Sequence, residues 1–261
     1  MSEQEVSSSH SPNILLKIEY DGTDFVGWQR QPDGPTIQST IEDLLEEILE
    51  KRVVLYASGR TDSGVHARSQ FAMFRGSDKY EPERWARMLN FRLPPSIRVL
   101  DSRQMPDNFH AQKHVISKTY EYRVLNRKIA SALDRGVHFY PGELDWEKVR
   151  EAIPAFLGEH DFKAFQGAKA EVKTTVRRIE RFELHQTGPD LYVFEIQGNG
   201  FLKHMVRTII GTLLQVGEGR IQPSEIPGII ASRDRRKAGR TVPPTGLFLA
   251  KVVYPTHFGL N

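Results

Sequence analysis

Apolar positions along the chain follow two rhythms, and each predicts an element where it holds. Asn13–Tyr20 (NILLKIEY) is dense in β-favouring residues and runs into Asp21-Gly22, so it predicts a strand ending in a turn. From Thr36 to Lys51, Ile37, Ile41, Leu44, Leu45, Ile48 and Leu49 recur three and four apart. That spacing predicts an amphipathic helix with an acidic outer face, starting after Pro35. Val53–Ala57 and Gln70–Arg75 are strand candidates on either side of a polar loop, Ser58–Gly64; Pro82–Phe91 predicts a helix and Ile97–Arg103 a strand. The second half repeats this grammar, with strands at Lys118–Leu125, Thr174–Gln186, Leu191–Gly198 and Leu247–Val253 and helices at Asp145–Leu157 and Phe201–Val216.

This order of elements suits the α+β class. We expect two similar modules, residues 13–108 and 109–261, each a mainly antiparallel sheet with helices on one face, and an active-site cleft between them. The boundary is placed at the Pro/Asn break near residues 104–112. Residues 1–12, rich in Ser and Glu, lack the basic lead and apolar core of a signal peptide and are expected to form a disordered tail.

Composition narrows the chemistry. With 39% apolar and 26% charged residues the chain is ordinary globular material, and no apolar run approaches the length of a membrane span. A soluble, cytoplasmic protein is expected. The absence of cysteine excludes disulfides, thiolate nucleophiles, iron–sulfur clusters and Cys-ligated zinc. Net charge is only +3, but the cations cluster in the second half: Lys173, Arg177, Arg178 and Arg181; Lys203, His204 and Arg207; and Arg233, Arg235, Arg236, Lys237 and Arg240. Such clusters serve either as solvated surface or as tracks for a polyanion.

The most unusual segment is Ser58-Gly59-Arg60-Thr61-Asp62-Ser63-Gly64-Val65-His66-Ala67, a polar loop bracketed by glycines between two apolar runs. Glycines let a loop bring a short carboxylate close to a ligand. Arg60, two residues before Asp62, would favour the ionised carboxylate if held close. Composition leaves a second reading open, in which Asp62 merely caps the turn and Arg60 faces water. A metal held by Asp62 and His66 lacks a third ligand nearby and is set aside.

The loop Gly59–Ala67 resembles the catalytic loop of the tRNA pseudouridine synthase A family. Other motifs occur in family order: Tyr20-Asp21-Gly22 with Gly27-Trp28-Gln29-Arg30; Lys118-Thr119-Tyr120-Glu121-Tyr122; and His160-Asp161-Phe162 with Phe165. Gly198-Asn199-Gly200-Phe201-Leu202 with Met205-Val206-Arg207 and Gly211 follows, then Pro243-Pro244 with Gly246-Leu247. The resemblance spans residues 14–254, and the conjunction is far more specific than any single motif. Two departures, Gln112 and Lys118, stand where relatives often carry Arg and bear on RNA contacts rather than on the reaction.

The resemblance implies isomerisation of uridine to pseudouridine, without a cofactor or metal, at positions 38 to 40 in the anticodon arm of tRNA. The base is detached from C1′, turned and rejoined through C5. Asp62 is implied as the nucleophile, whether it adds to C1′ or assists a glycal route. Tyr120 is implied to stack on the target base, Arg207 to pair with Asp62, Arg60 to touch phosphate, and Phe201 and Leu247 to line the base pocket. A homodimer is implied as well. Two rival readings remain at this point: an RNA-binding module without catalysis, and a small-substrate hydrolase using Asp62, which has no use for the basic clusters or Tyr120.

Overall fold

Why the first half folds as it does is visible in its first strand. In β1 (Asn13–Tyr20) the apolar residues on both faces are buried, and the strand is flanked on both edges. It pairs antiparallel with β3 (His66–Arg75) on one side and with β4 (Ile97–Met105) on the other. Helix α1 (Ile37–Leu49) opens with a capping box in which Thr36 Oγ1 accepts from Ser39 N at 3.0 Å and Thr36 N donates to Ser39 Oγ at 3.2 Å. It ends at Glu50, whose φ of 53° lies in the left-handed region. Helix α2 (Arg84–Arg92) buries Trp85 and Leu89. The computed structural model describes residues 11–168 and 172–260, so the expected tail, apart from Ser11 and Pro12, lies outside the described residues.

Two expectations in this half change. The strand expected over residues 53–57 shrinks to β2 (Tyr56–Ala57). The cause lies in α1, whose outward face is not uniformly acidic: Glu42 is buried and ion-paired to Arg30 Nε at 2.8 Å. Its carboxylate also accepts the Leu55 N–H at 2.8 Å, so the backbone there bonds a side chain instead of a ladder. Conversely β3 starts four residues before the expected Gln70, because His66 and Ala67 find a parallel partner strand far along the sequence.

In the second half, β5 (Ser117–Asn126), β8 (Val176–Gln186) and β9 (Leu191–Gly198) lie near their expected bounds. Helix α3 (Trp146–Ala152) is capped by Asp145 and passes into a tighter turn at Ile153–Phe156, since Pro154 has no N–H to continue it. Helix α4 (Met205–Gly217) begins later than expected, after a turn at residues 201–204. Three short elements were not foreseen: β6 (His138–Tyr140), β7 (Gly158–Asp161) and α5 (Ile226–Ser232).

Strand β10 (Leu247–Val253) gives the molecule its architecture. All the strands form one ten-stranded sheet in the order β4-β1-β3-β10-β5-β9-β8-β7, with β2 beside β3 and β6 beside β5. The mixed α/β character matches the expected class, but the strands make one continuous sheet rather than two. β10 is the joint: it pairs parallel with β3 through Phe248↔His66 and Leu249↔Ala67, and antiparallel with β5.

The chain reaches β10 through a strap, residues 239–246, laid across α4. Gly211 and Gly239 permit the crossing. A Cβ on Gly211 would stand 1.8 Å from the Arg240 carbonyl oxygen, and one on Gly239 would stand 2.6 Å from Thr212 Cα. Thr212 Oγ1 accepts the Gly239 N–H at 2.8 Å. Among the described residues, no helix is long and apolar enough to cross a membrane.

Candidate active site

The loop between β2 and β3 is fixed by neighbours on all sides. Tyr20 Oη lies 2.7 Å from Thr61 Oγ1, Trp28 N donates to the Thr61 carbonyl at 3.1 Å, and Gly64 N donates to the Phe25 carbonyl at 3.2 Å. Val65 N closes a turn on the Asp62 carbonyl at 3.1 Å. Gly27, at φ 103°, lies so close that a Cβ would stand 2.9 Å from the Thr61 carbonyl oxygen. Gly64, at φ 73°, packs against Pro244 of the strap, where a Cβ would stand 2.8 Å from the ring. Both glycines therefore serve conformation and close approach at once.

Asp62 emerges from this frame with its carboxylate half-buried. Its Oδ2 lies 3.7 Å from Arg207 Nη1 and 3.7 Å from His204 Nε2. Arg207 is itself anchored, since its Nε donates to the strap carbonyl of Val242 at 2.7 Å. Burial lowers the guanidinium's pKa, and Asp62 and Tyr122 pull it back up. Arg60, by contrast, is exposed. The cation beside Asp62 thus comes from α4, not from the neighbouring position in the loop.

Tyr120 is buried on β5, and its ring meets Phe201 edge-on with centroids 5.1 Å apart and planes at 84°. Burial raises the phenol's pKa, with Tyr20 and Asp62 adding to the effect, so the group remains a neutral donor at physiological pH. Leu247 is buried opposite Tyr122, two pairs along the ladder from Tyr120. Tyr122 Oη donates to the Pro243 carbonyl at 2.9 Å, which ties β5 to the strap.

His66 is structural. Its Nε2 lies 3.1 Å from the Thr245 carbonyl, and its Nδ1 lies 3.1 Å from the Gly22 nitrogen and 3.0 Å from Asp21 Oδ1. Burial lowers its pKa more than the adjacent Asp21 raises it. Both ring nitrogens are thus engaged by the protein's own groups. Among the described residues no group of three or more His, Asp or Glu side chains is arranged to hold one.

Three residues of the site escaped sequence reasoning. The sequence sets His204 in a basic cluster, Tyr20 at a strand end before a turn, and Lys118 in the motif that carries Tyr120, and predicts a role at the site for none of them. Lys118 packs its ammonium against Gly59, where a Cβ would stand 2.3 Å from Nζ, and burial brings its pKa down to about 8. A signal existed for it, since Lys118 and Tyr120 alternate onto one face of a strand.

The basic clusters divide. Arg181 pairs with Glu195 and Glu183, Arg233 with Asp161 at 3.0 Å, and Arg236 with Asp234 at 2.7 Å. Arg235 donates to the Ala238 and Gly239 carbonyls and so braces the strap. Lys203 and Lys237 are exposed.

Comparison with known proteins gives the family. A family model described as tRNA pseudouridine synthase matches residues 17–112 and 152–255. The chain is 45% identical over 243 residues to tRNA pseudouridine synthase A of Caldicellulosiruptor bescii, covering 93% of this chain and 99% of that protein. It is 44% identical over 243 residues to tRNA pseudouridine synthase A 2 of Clostridium perfringens, with the same coverage of both. Among solved structures it resembles a chain of the archaeal box H/ACA sRNP Nop10-Cbf5 complex at 13% identity and TM-score 0.38, over 91% of this chain and 62% of that one. The family model covers most of the chain, with Asp62 and Arg207 inside the matched segments and Tyr120 between them, and with the identity to these relatives it shows that the chain belongs to the tRNA pseudouridine synthase family, isomerases that act on tRNA.

Proposed function

We propose that this enzyme converts uridine to pseudouridine at positions 38 to 40 in the anticodon stem-loop of tRNA, with Asp62 as the nucleophile. The observation that carries the reading is the placement of one carboxylate beside an anchored arginine, with Asp62 Oδ2 3.7 Å from Arg207 Nη1. Close by, Tyr120 lies near enough for the charge of Asp62 to raise its pKa. The guanidinium sets a positive charge against the carboxylate. That carboxylate starts the detachment of the base, by adding to C1′ or by assisting glycal formation, and the base rejoins through C5. No electrons are gained or lost.

The target nucleotide leaves its stack to reach Asp62, and the face of Tyr120 offsets part of the cost, about 1 to 3 kcal/mol per base. Phe201 and Leu247 line the pocket that receives it. Arg60, exposed at the rim, and the free cations of the second half follow phosphates. In this reading residues 13–108 and 109–261 act as two modules with the cleft at the β3–β10 joint. The enzyme works as a cytoplasmic homodimer that holds the tRNA across both subunits.

The test is tritium release from tRNA labelled at C5 of uridine, with wild type beside Asp62→Ala and with the modified positions mapped. Release by wild type at positions 38 to 40 and none by the variant is expected. Release by Asp62→Ala sinks the assignment of the nucleophile, and binding without release by wild type favours a non-catalytic RNA-binding protein.

A further inference from the structure

Asp62 has a second neighbour to which the reaction above gives no task. His204 Nε2 approaches Oδ2, the same oxygen that faces Arg207, and both distances are 3.7 Å. Each exceeds hydrogen-bond length, so the carboxylate is bracketed on one oxygen without being tied to either group.

The imidazole is placed there at some cost. His204 has φ 61° and ψ 1°, a left-handed conformation that a residue with a side chain keeps only where its surroundings impose it. Those surroundings are visible. The His204 carbonyl accepts Thr208 N at 2.9 Å as α4 begins, and the preceding Lys203 carbonyl accepts Gly167 N at 2.8 Å. Gly167 also backs the ring: a Cβ at that position would stand 2.7 Å from Nδ1 and 2.9 Å from Cγ. A strained backbone, a helix start and a glycine seat therefore converge on one outcome, an imidazole edge directed at the nucleophile.

We propose that His204 is a positioning residue for Asp62: with Arg207 it brackets Oδ2, leaves Oδ1 to meet the sugar, and does so in its uncharged form. The inference rests on the reading of Asp62 as the nucleophile.

The charges around the ring support the neutral form. Burial lowers the pKa of His204 most. Asp62 raises it, while Arg207 and Lys203 on and before α4 and Arg235 beside the strap lower it again. At neutral pH the carboxylate then faces one full positive charge. A proton on His204 adds a second cation at the same oxygen, draws Asp62 into a tight ion pair and withdraws it from the sugar. The folded pKa lies below the ordinary histidine value, so the active form is complete above about pH 6.5 and is lost as pH falls through the lowered value.

The experiment measures single-turnover pseudouridine formation at saturating tRNA between about pH 5 and about pH 8, with tRNA Kd and thermal melts recorded for each variant. For wild type, the rate falls on the acid side. His204→Gln turns over more slowly than wild type at neutral pH but lacks that acid limb. His204→Lys, a permanent cation, is at least about tenfold slower than His204→Gln while binding tRNA no more weakly. Gly167→Ala, which displaces the ring without altering it, lowers the rate at unchanged Kd.

Equal loss in the Gln and Lys variants with a wild-type pH profile overturns the proposal, as does an effect confined to Kd, which makes His204 a phosphate contact. Asp62→Asn run in parallel separates the two claims. Turnover by that variant removes the nucleophile reading and this inference with it. An inactive Asp62→Asn beside unchanged His204 profiles removes this inference alone.

Discussion

At Tyr120 the fold keeps a buried phenol protonated within the influence of the Asp62 charge, with the Phe201 ring perpendicular to its own. Tyr120→Phe is expected to bind tRNA as well as wild type yet turn over about tenfold or more slowly, because only the hydroxyl is gone. Tyr120→Ala should in addition weaken binding by about 1 to 3 kcal/mol through lost stacking; filter binding beside single-turnover rates separates the two. A second residue-scale prediction concerns acid. His138 is buried between Tyr122 and Tyr140, its Nδ1 without a partner, and burial followed by the charge of Arg240 brings its pKa to about 4. The unfolded chain takes up this proton first. Stability is therefore complete above about pH 6.5 and falls by about 3 kcal/mol toward pH 4, a decline that urea midpoints across that range should show and that His138→Gln should blunt.

The elements show what a sequence can and cannot disclose. Gly211→Ala gains helix propensity of about 1 kcal/mol but drives a Cβ into the Arg240 carbonyl, at 1.8 Å, where main chain has nowhere to go. An overlap of that kind costs about 1 to 3 kcal/mol or more, so the overlap wins and the melting temperature should fall. Turnover should fall further than stability, because the strap it displaces carries the Val242 carbonyl that anchors Arg207. Helix α1 is legible because its three- and four-residue spacing records which face is buried, and β1 because it is a dense run of β-favouring residues. The loop Ser58–Ala67 is legible as a candidate site too, because its glycines and carboxylate are contiguous. Val53–Leu55 departs from a strand because the Val53 N–H bonds Glu46 and the Leu55 N–H bonds Glu42, side chains that periodicity assigns to water. The bracket on Asp62 was hidden for a similar reason: His204 lies far along the chain, and only the joining of β3 to β10 brings α4 to the loop.

For the whole molecule, the clusters of positive charge shrink once their partners are counted, and this makes the salt dependence of tRNA binding a structural test. Lys203→Ala should reduce the slope of log affinity against log salt by about one phosphate contact. Arg235→Ala should leave the slope nearly unchanged and lower the melting temperature, since that side chain braces the Ala238 and Gly239 carbonyls. The central place of β10 has a further consequence, which belongs to synthesis rather than to catalysis. A ribosome makes the other nine strands first, so β3 and β5 wait with open edges for the strand that separates them in the finished sheet. Until it arrives, neither the strap nor the anchor of Arg207 is in place. A nascent or prematurely terminated chain therefore keeps its cations but lacks the anchored Arg207 beside Asp62, and it is prone to pair its bare edges with another chain, a hazard set by how soon β10 follows the rest out of the ribosome.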